Sequence, residues 1–440
     1  MTNTPVKTSF HILAKPVGPA CNLTCDYCFY LEKESLFPKD TTFKMEPDVL
    51  ESFIRQYIES QPTNTVHFTW QGGEPTLLGV EYFQEIVQLQ NKHSEGKQIS
   101  NAIQTNGVLL DEIWGEFLHE NHFLVGISID GPQALHDQYR IGHHGDGTFE
   151  KVMLGLELLK KYKVEFNTLT VVNQSNQDEA NAIYDFLKSI GSEYWQFIPA
   201  VERTRPDGSL AAPHEMHNLD MAEWSVDPES YGQFLNQIFQ RWVREDVGTI
   251  YVQQFEAALA NEMGRPAGVC VWNATCGQAL AVEHNGDLYS CDHYVFPEYR
   301  LGNILEIPLL DLVHSSDQQN FGADKRDGLP QICNECEVLY LCHGECPKHR
   351  FAEGSNGEQR HNYLCNGYKQ FFTSIQPELG VLKEILELGQ PATNIVGWMH
   401  EKDQGFPNID VELSDPCPCG SKAVFQECCL QNLSDNSLKY

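Results

Sequence analysis

Three cysteines, Cys21, Cys25 and Cys28, form a C-x3-C-x2-C run, and the next cysteine is Cys270, more than two hundred residues on. A cubane iron–sulfur cluster has four irons, each wanting a thiolate or a substitute. Three thiolates leave one iron open. In zinc sites a closed shell holds structure and an open shell does chemistry, and the same logic applies here. The run therefore predicts a cluster with one coordination position reserved for a small molecule.

Fifteen cysteines in a chain with no signal-peptide core at Met1–Lys7 predict metal binding in a cytoplasmic protein rather than a disulfide framework. The odd count also fits poorly with complete pairing. No run of eighteen apolar residues occurs, so no membrane span is expected. The net charge of −31 argues against nucleic acid and anionic membranes as partners. At 440 residues the chain exceeds one ordinary core.

Short apolar runs alternate with helical patterns up to about residue 200. Strands are expected at 11–17, 65–70, 101–104, 123–129, 164–172 and 194–198. Helices are expected at 48–58, 80–89, near Asp111, at 150–161 and at 178–190. Six such units predict an α/β fold, a partial (β/α)6 barrel with its chemistry at the carboxyl ends of the strands. The strand ends are rich in turn residues: Gln71-Gly72-Gly73-Glu74-Pro75, Thr105-Asn106-Gly107 and Asp130-Gly131-Pro132. A polar stretch at 202–227 reads as a boundary or a loop over the barrel mouth. Helices at 231–242 and 252–263 follow, then a hairpin at 279–290 turning on Asn285-Gly286, then helical segments within 368–388. The expected division is 1–227 barrel, 228–390 cysteine-rich domain, 391–414 linker and 415–440 terminal module.

The first cysteine run, following a predicted strand, resembles the signature of the radical S-adenosylmethionine (SAM) superfamily. Gly72-Gly73-Glu74-Pro75 is similar to that family's motif after the second strand. There the resemblance implies that backbone groups around Gly73 and the Glu74 side chain receive the SAM amine. It also implies that Ser128 bonds a ribose hydroxyl, Arg140 forks onto the SAM carboxylate, Tyr27 packs near the adenine and Val201 gives an apolar contact.

Eight further cysteines run as Cys270-x5-Cys276-x14-Cys291, Cys333-x2-Cys336-x5-Cys342-x3-Cys346 and Cys365. They suffice for two four-thiolate clusters, and spacing alone leaves both their pairing and zinc as a rival metal open. The region resembles the SPASM extension of radical SAM enzymes that modify peptides. That resemblance implies one auxiliary cluster on Cys270, Cys276, Cys291 and Cys346, and another on Cys333, Cys336, Cys342 and Cys365, making three [4Fe-4S] clusters with the first. Cys28-Phe29-Tyr30, Thr69 to Leu77, Gln196 to Pro199, Tyr289 to Tyr294 and Arg300 to Ile304 narrow the likeness to anaerobic sulfatase-maturating enzymes, over about residues 8–385.

This resemblance implies a peptide-modifying oxidase that converts a cysteine or serine of an unfolded sulfatase polypeptide to Cα-formylglycine through a 5′-deoxyadenosyl radical. An electron donor such as a flavodoxin or ferredoxin is implied as a partner. Asp292 takes the place of the family's base, and a carboxylate serves that role best if burial raises its pKa toward neutrality. Tyr30 and Gln71 are placed as peptide contacts at the barrel mouth. Read alone, Asp292 equally suits a turn cap after Cys291.

Cys417-x-Cys419-x8-Cys428-Cys429 resembles a SEC-C module, four thiolates for Zn2+. Lys422 stands where a glycine is usual. The module's role is open between a contact to ribosomal or secretory machinery and a folding staple. His143-His144 and the run Glu32–Glu34 read as solvated surface. Two rival functions stay open at this level: another SPASM-type maturase, such as one forming thioether crosslinks, and a non-catalytic zinc-rich binding module.

Overall fold

The computed structural model describes residues 9–404. In chain order the strands and helices are β1 (His11–Lys15), α1 (Pro47–Ser60), β2 (Thr65–Trp70), α2 (Gly79–His93), β3 (Gln98–Thr105), α3 (Glu112–Glu120), β4 (Leu124–Ser128), α4 (Gln133–His136), α5 (Phe149–Lys161), β5 (Phe166–Val172), α6 (Ala180–Ser189) and β6 (Tyr194–Pro199). Then come β7 (Arg203–Thr204), β8 (Asp220–Met221), α7 (Pro228–Glu245), β9 (Tyr251–Val252) and α8 (Gln253–Glu262). The carboxyl-terminal part holds β10 (Ala279–Glu283), β11 (Asp287–Tyr289), β12 (Arg300–Asn303), α9 (Leu309–Val313), α10 (Ser316–Asp327), α11 (Gln331–Asn334), α12 (Leu339–Cys342), α13 (Cys365–Glu387) and α14 (Asn394–Asp403).

Strands β1 to β6 lie side by side in sequence order and all parallel, the expected partial (β/α)6 barrel. Parallel strands must return through a crossover, and the helices supply it. Their starts are set locally: Pro47 and Pro228 stand at first helical positions, and the Asp111 and Asp227 carboxylates accept from the Trp114 and Ser230 amides. Phe53, Phe68, Trp70 and Phe83 are buried between the sheet and helices α1 and α2.

The sheet does not stop at six strands. β9 pairs parallel with β6 at one edge, and β10 pairs parallel with β1 at the other. The hairpin of β10 and β11, continued by β12, thus extends the barrel sheet to ten strands. The register puts Lys15 opposite Glu283. The cysteine-rich region is thereby fastened to the barrel by main-chain hydrogen bonds.

The stretch 202–227 straps the barrel mouth. The Leu210 amide donates to Glu32, Lys348 pairs with Glu202, and the Arg203 guanidinium sits 4.2 Å from the Phe351 ring centroid. Helices α7 and α13 cross closely because two glycines meet. A Cβ on Gly367 would lie 1.8 Å from the Pro228 carbonyl oxygen, and one on Gly232 would lie 2.4 Å from that of Gly367. The expected helical segments of 368–388 are one helix that starts at Cys365.

The linker expected at 391–414 is corrected in its first part. Residues 394–403 form α14, whose Ile395 and Met399 are fully buried against the core, and whose Asp403 pairs with Arg244 of α7. Two apolar side chains four apart gave a helical face too short to stand out in a polar stretch. The terminal cysteines Cys417, Cys419, Cys428 and Cys429 lie outside the described residues. Among the described residues no helix is long and apolar enough to cross a membrane.

Candidate active site

The first cysteine loop leaves β1 at its carboxyl end, where the strand-order rule places chemistry. Backbone hydrogen bonds hold it to its neighbours, joined by the side chains of Asn22, Thr24 and Tyr27. The Gly73 and Glu74 amides donate to the Gly18 and Ala20 carbonyls at 2.8 Å each, and the Thr24 and Asp26 amides donate to Ile141 and Tyr139. A Cβ on Gly73 would come within 1.9 Å of the Ala20 oxygen, so only glycine lets β2's end approach the loop.

Cys21, Cys25 and Cys28 lie within electrostatic reach of one another. Burial pushes the Cys21 and Cys25 thiols up to about 12. Without metal they stay protonated, so loading iron must expel protons. The Asn106 amide group lies 3.8 Å from the Cys21 sulfur and bonds Asn22 at 2.8 Å.

Two of the expected cofactor contacts also have protein partners. Glu74 is fully buried. Its Oε1 accepts from the Thr76 amide, the Thr76 hydroxyl and the Thr105 hydroxyl, and its Oε2 from the Asn106 amide. The carboxylate thus clamps the ends of β2 and β3 together instead of presenting a free face. Arg140 does fork onto a carboxylate, but that carboxylate is Asp130, at 3.0 and 3.1 Å. Tyr27 donates its hydroxyl to the same Asp130, and the Val171 amide donates to it at 2.9 Å. Asp130 is the organiser that sequence reasoning passed over; its signal was a carboxylate at a strand end beside Gly131-Pro132. Ser128, half-buried, accepts from the Gln104 side chain at 3.0 Å, and Val201 is buried just beyond β6.

Asp292 follows Cys291 in a short 3-10 turn, and the pairing of β10 with β1 carries it over the end of β1. There it meets Lys15, a 1% exposed lysine whose ammonium ion-pairs with its carboxylate. The Asp292 pKa does not rise. Burial does push it up, but Lys15, His293 and Lys33 together hold it below the ordinary carboxylate value. Lys15 lies 4.1 Å from the Tyr30 ring centroid. Tyr30, expected as a peptide contact, is 3% exposed and gives its hydroxyl to Glu283. It braces the joint between barrel and hairpin. Gln71 stands half-buried at the end of β2, its amide on the Ala14 carbonyl at 2.9 Å.

Beside Asp292 a cavity of about 310 Å3 is lined by Phe29, Lys33, Glu202, His214, His293 and Lys348. Within the run read as surface, Glu32 and Glu34 are exposed but Lys33 is buried, its ammonium 3.1 Å from the Phe296 ring centroid. Burial, and then the like charge of Lys348, push its pKa down to about 7.

The eight later thiols gather in two groups. Cys333, Cys336, Cys342 and Cys365 line one cavity of about 690 Å3. Cys270 is in electrostatic reach of Cys276, Cys291 and Cys346, and Cys346 also of Cys291. Among the described residues no three His, Cys, Asp or Glu side chains close on a point suited to one metal ion.

Comparison with known families gives matches to the radical SAM superfamily over residues 16–187, to an iron–sulfur cluster-binding domain over 270–337 and to the SEC-C motif over 414–431. The chain is 46% identical over 398 residues to a serine-type anaerobic sulfatase-maturating enzyme of Bacteroides thetaiotaomicron, covering 90% of this chain and 96% of the relative. It is 34% identical over 371 residues to a cysteine-type anaerobic sulfatase-maturating enzyme of Clostridium perfringens, covering 84% and 96%. A solved structure described as native anSMEcpe with bound AdoMet and Cp18Cys peptide superposes with a TM-score of 0.76 at 33% identity, covering 86% of this chain and 100% of that one. An open-shell cysteine loop at the end of β1, an acid carried onto it by a docked hairpin, and nearly full-length likeness lead to one conclusion: the chain belongs to the anaerobic sulfatase-maturating enzymes of the radical SAM superfamily.

Proposed function

We propose that this enzyme oxidises a cysteine or serine side chain of a sulfatase polypeptide, presented unfolded, to Cα-formylglycine. The observation that carries the reading is the Lys15–Asp292 ion pair at the barrel mouth, where one partner ends β1 and the other follows a cluster cysteine. Cys21, Cys25 and Cys28 would hold the SAM-binding cluster, which with SAM supplies a hydrogen-abstracting radical. Cys270, Cys276, Cys291 and Cys346, and Cys333, Cys336, Cys342 and Cys365, would hold two auxiliary clusters able to take an electron. Zn2+ on Cys417, Cys419, Cys428 and Cys429, and a flavodoxin- or ferredoxin-type electron donor, complete the proposal.

The chain's own residues then have separate tasks. In balance, the target Cβ loses a hydrogen atom, and the resulting substrate radical loses one proton and one electron. For cysteine the thioaldehyde takes up water and releases sulfide. Asp292 receives the proton from the target's sulfur or oxygen. Its lowered pKa keeps it ionised and ready, and Lys15 aims it. A depressed pKa makes a weak base, which suffices because a thiol or hydroxyl next to a carbon radical is far more acidic than its parent. Ser128, Val201, Tyr27 and Arg140 shape the SAM pocket, with Asp130 fixing the last two. Glu74 and Gly73 act by positioning the cysteine loop. Gln71 and the cavity by Lys33 and Lys348 receive the peptide, and the strap 202–227 excludes water.

The test is anaerobic reconstitution with SAM, reductant and two peptides that differ only in serine or cysteine at the target. Loss of two hydrogens at serine, or exchange of the thiol for an aldehyde oxygen at cysteine, supports the reading. 5′-Deoxyadenosine formed with both peptides unchanged overturns it.

A further inference from the structure

Two cations lie deep in the cysteine-rich region without a carboxylate partner. Lys325 of α10 is 0% exposed, and its ammonium donates only to the carbonyls of Cys270 and Val271, at 2.5 and 2.8 Å. Arg350, 4% exposed, spends its guanidinium on the carbonyls of Gly344, Lys325, His343 and Glu345. Among the described residues neither forms an ion pair. The acid that faces both is Glu345, and its Oε2 is taken by His349 and Asn362. Two positive charges against one negative leave a net buried charge, which is costly unless something anionic compensates it.

The groups placed to do so are the thiols. Lys325 is in electrostatic reach of Cys270, Cys276 and Cys346. Arg350 reaches Cys346 of that set and also Cys333 and Cys342 of the other. Four thiolates outweigh the positive charge of a cubane core, so a loaded site is anionic.

We propose that Lys325 and Arg350 are positioning residues that serve as fixed countercharges to the two auxiliary clusters, Lys325 for the Cys270 set and Arg350 shared between the sets, and that they raise the reduction potential there. This rests on the reading of the eight thiols as cluster ligands. A fixed positive charge in a dry interior stabilises the more negative, reduced state. The effect favours acceptance of the electron that leaves the substrate.

The test is a reductive titration of the anaerobically purified holoenzyme, followed by electron paramagnetic resonance, with iron content and thermal melting as controls. Lys325→Met and Lys325→Gln should lower the midpoint of one auxiliary signal, and Arg350→Gln those of both. Lys325→Arg and Arg350→Lys should stay near the parent, and the SAM-responsive signal should not move. Folded, fully iron-loaded Lys325→Met with an unshifted midpoint overturns the proposal, as does an equal shift in Lys325→Arg. If Lys325→Met does not fold, Arg350→Gln against Arg350→Lys decides by the same two criteria. Absence of auxiliary signals from the parent enzyme would instead overturn the ligand reading itself.

Discussion

The two cysteine regions differ in how they are built and in the charge around them. The first takes its proposed ligands from eight consecutive residues, Cys21 to Cys28, and backbone hydrogen bonds fix the loop together with the side chains of Asn22, Thr24 and Tyr27. Its nearby cations are paired off, Arg140 with Asp130 and Lys15 with Asp292. The second draws its proposed ligands from residues 270 to 365, on α11, α12, α13, the loops between them and the segments before β10 and after β11. Its cations Lys325 and Arg350 have no acid of their own. A site with neutralised surroundings suits a centre that gives an electron to SAM, and one with surplus positive charge suits a centre that receives one. On the proposed ligand sets, the contrast lets one chain set opposite redox tasks by charge pairing.

The largest effect should come from the first region. Cys28→Ala should abolish deoxyadenosine formation while removing about four of roughly twelve irons per chain, read by iron analysis after anaerobic purification. A loss of all iron would show that loading of the second region depends on the first. Next, Asp292→Asn should lower formylglycine formation about 10²- to 10⁴-fold, the usual worth of a positioned acid–base group. Deoxyadenosine production should persist, and Lys15→Met should lose less than Asp292→Asn.

Gly73→Ala tests the backbone construction of the first loop. Its methyl would strike the Ala20 carbonyl, so destabilisation of about 1–3 kcal/mol and weakened SAM binding are expected, measured by denaturation and by titration of the cluster spectrum with SAM. A matching Gly380→Ala on α13, with open space around its Cβ, should be neutral or mildly stabilising.

A further effect is a pH dependence of the barrel half. His136 accepts from the Asp130 amide at 3.3 Å and contacts the Thr148 hydroxyl at 3.1 Å. Burial, and then the Arg140 charge, push its pKa down to about 4 from 6.5. The unfolded chain therefore takes up the proton first as pH falls. The stability this neutral histidine provides is present above pH 6.5 and is lost between there and about pH 4, by at most about 3 kcal/mol. His136→Gln should flatten that part of the stability–pH curve in chemical denaturation.

Much of this was legible in residues alone. The strand–helix alternation predicted the six parallel strands because its periodicity is local, and the cysteine spacings gave the ligand inventory. The segment 394–403 escaped because its two buried residues are marked only by what packs on them. Lys15 escaped as well: a lysine at a strand end reads as surface until its partner strand is known.

The sequence by itself determined the cysteine clusters, the strand–helix alternation and the presence of an acid after Cys291, since each is a matter of neighbours within a few residues. Tertiary structure alone decided that β10 lies against β1, so that Asp292 meets Lys15 and is held ionised instead of being raised by burial. It alone turned Tyr30, Glu74 and Arg140 toward protein partners, and left Lys325 and Arg350 without a carboxylate partner. Proton affinity and charge balance depend on distances between groups hundreds of residues apart, and only the folded chain sets those distances.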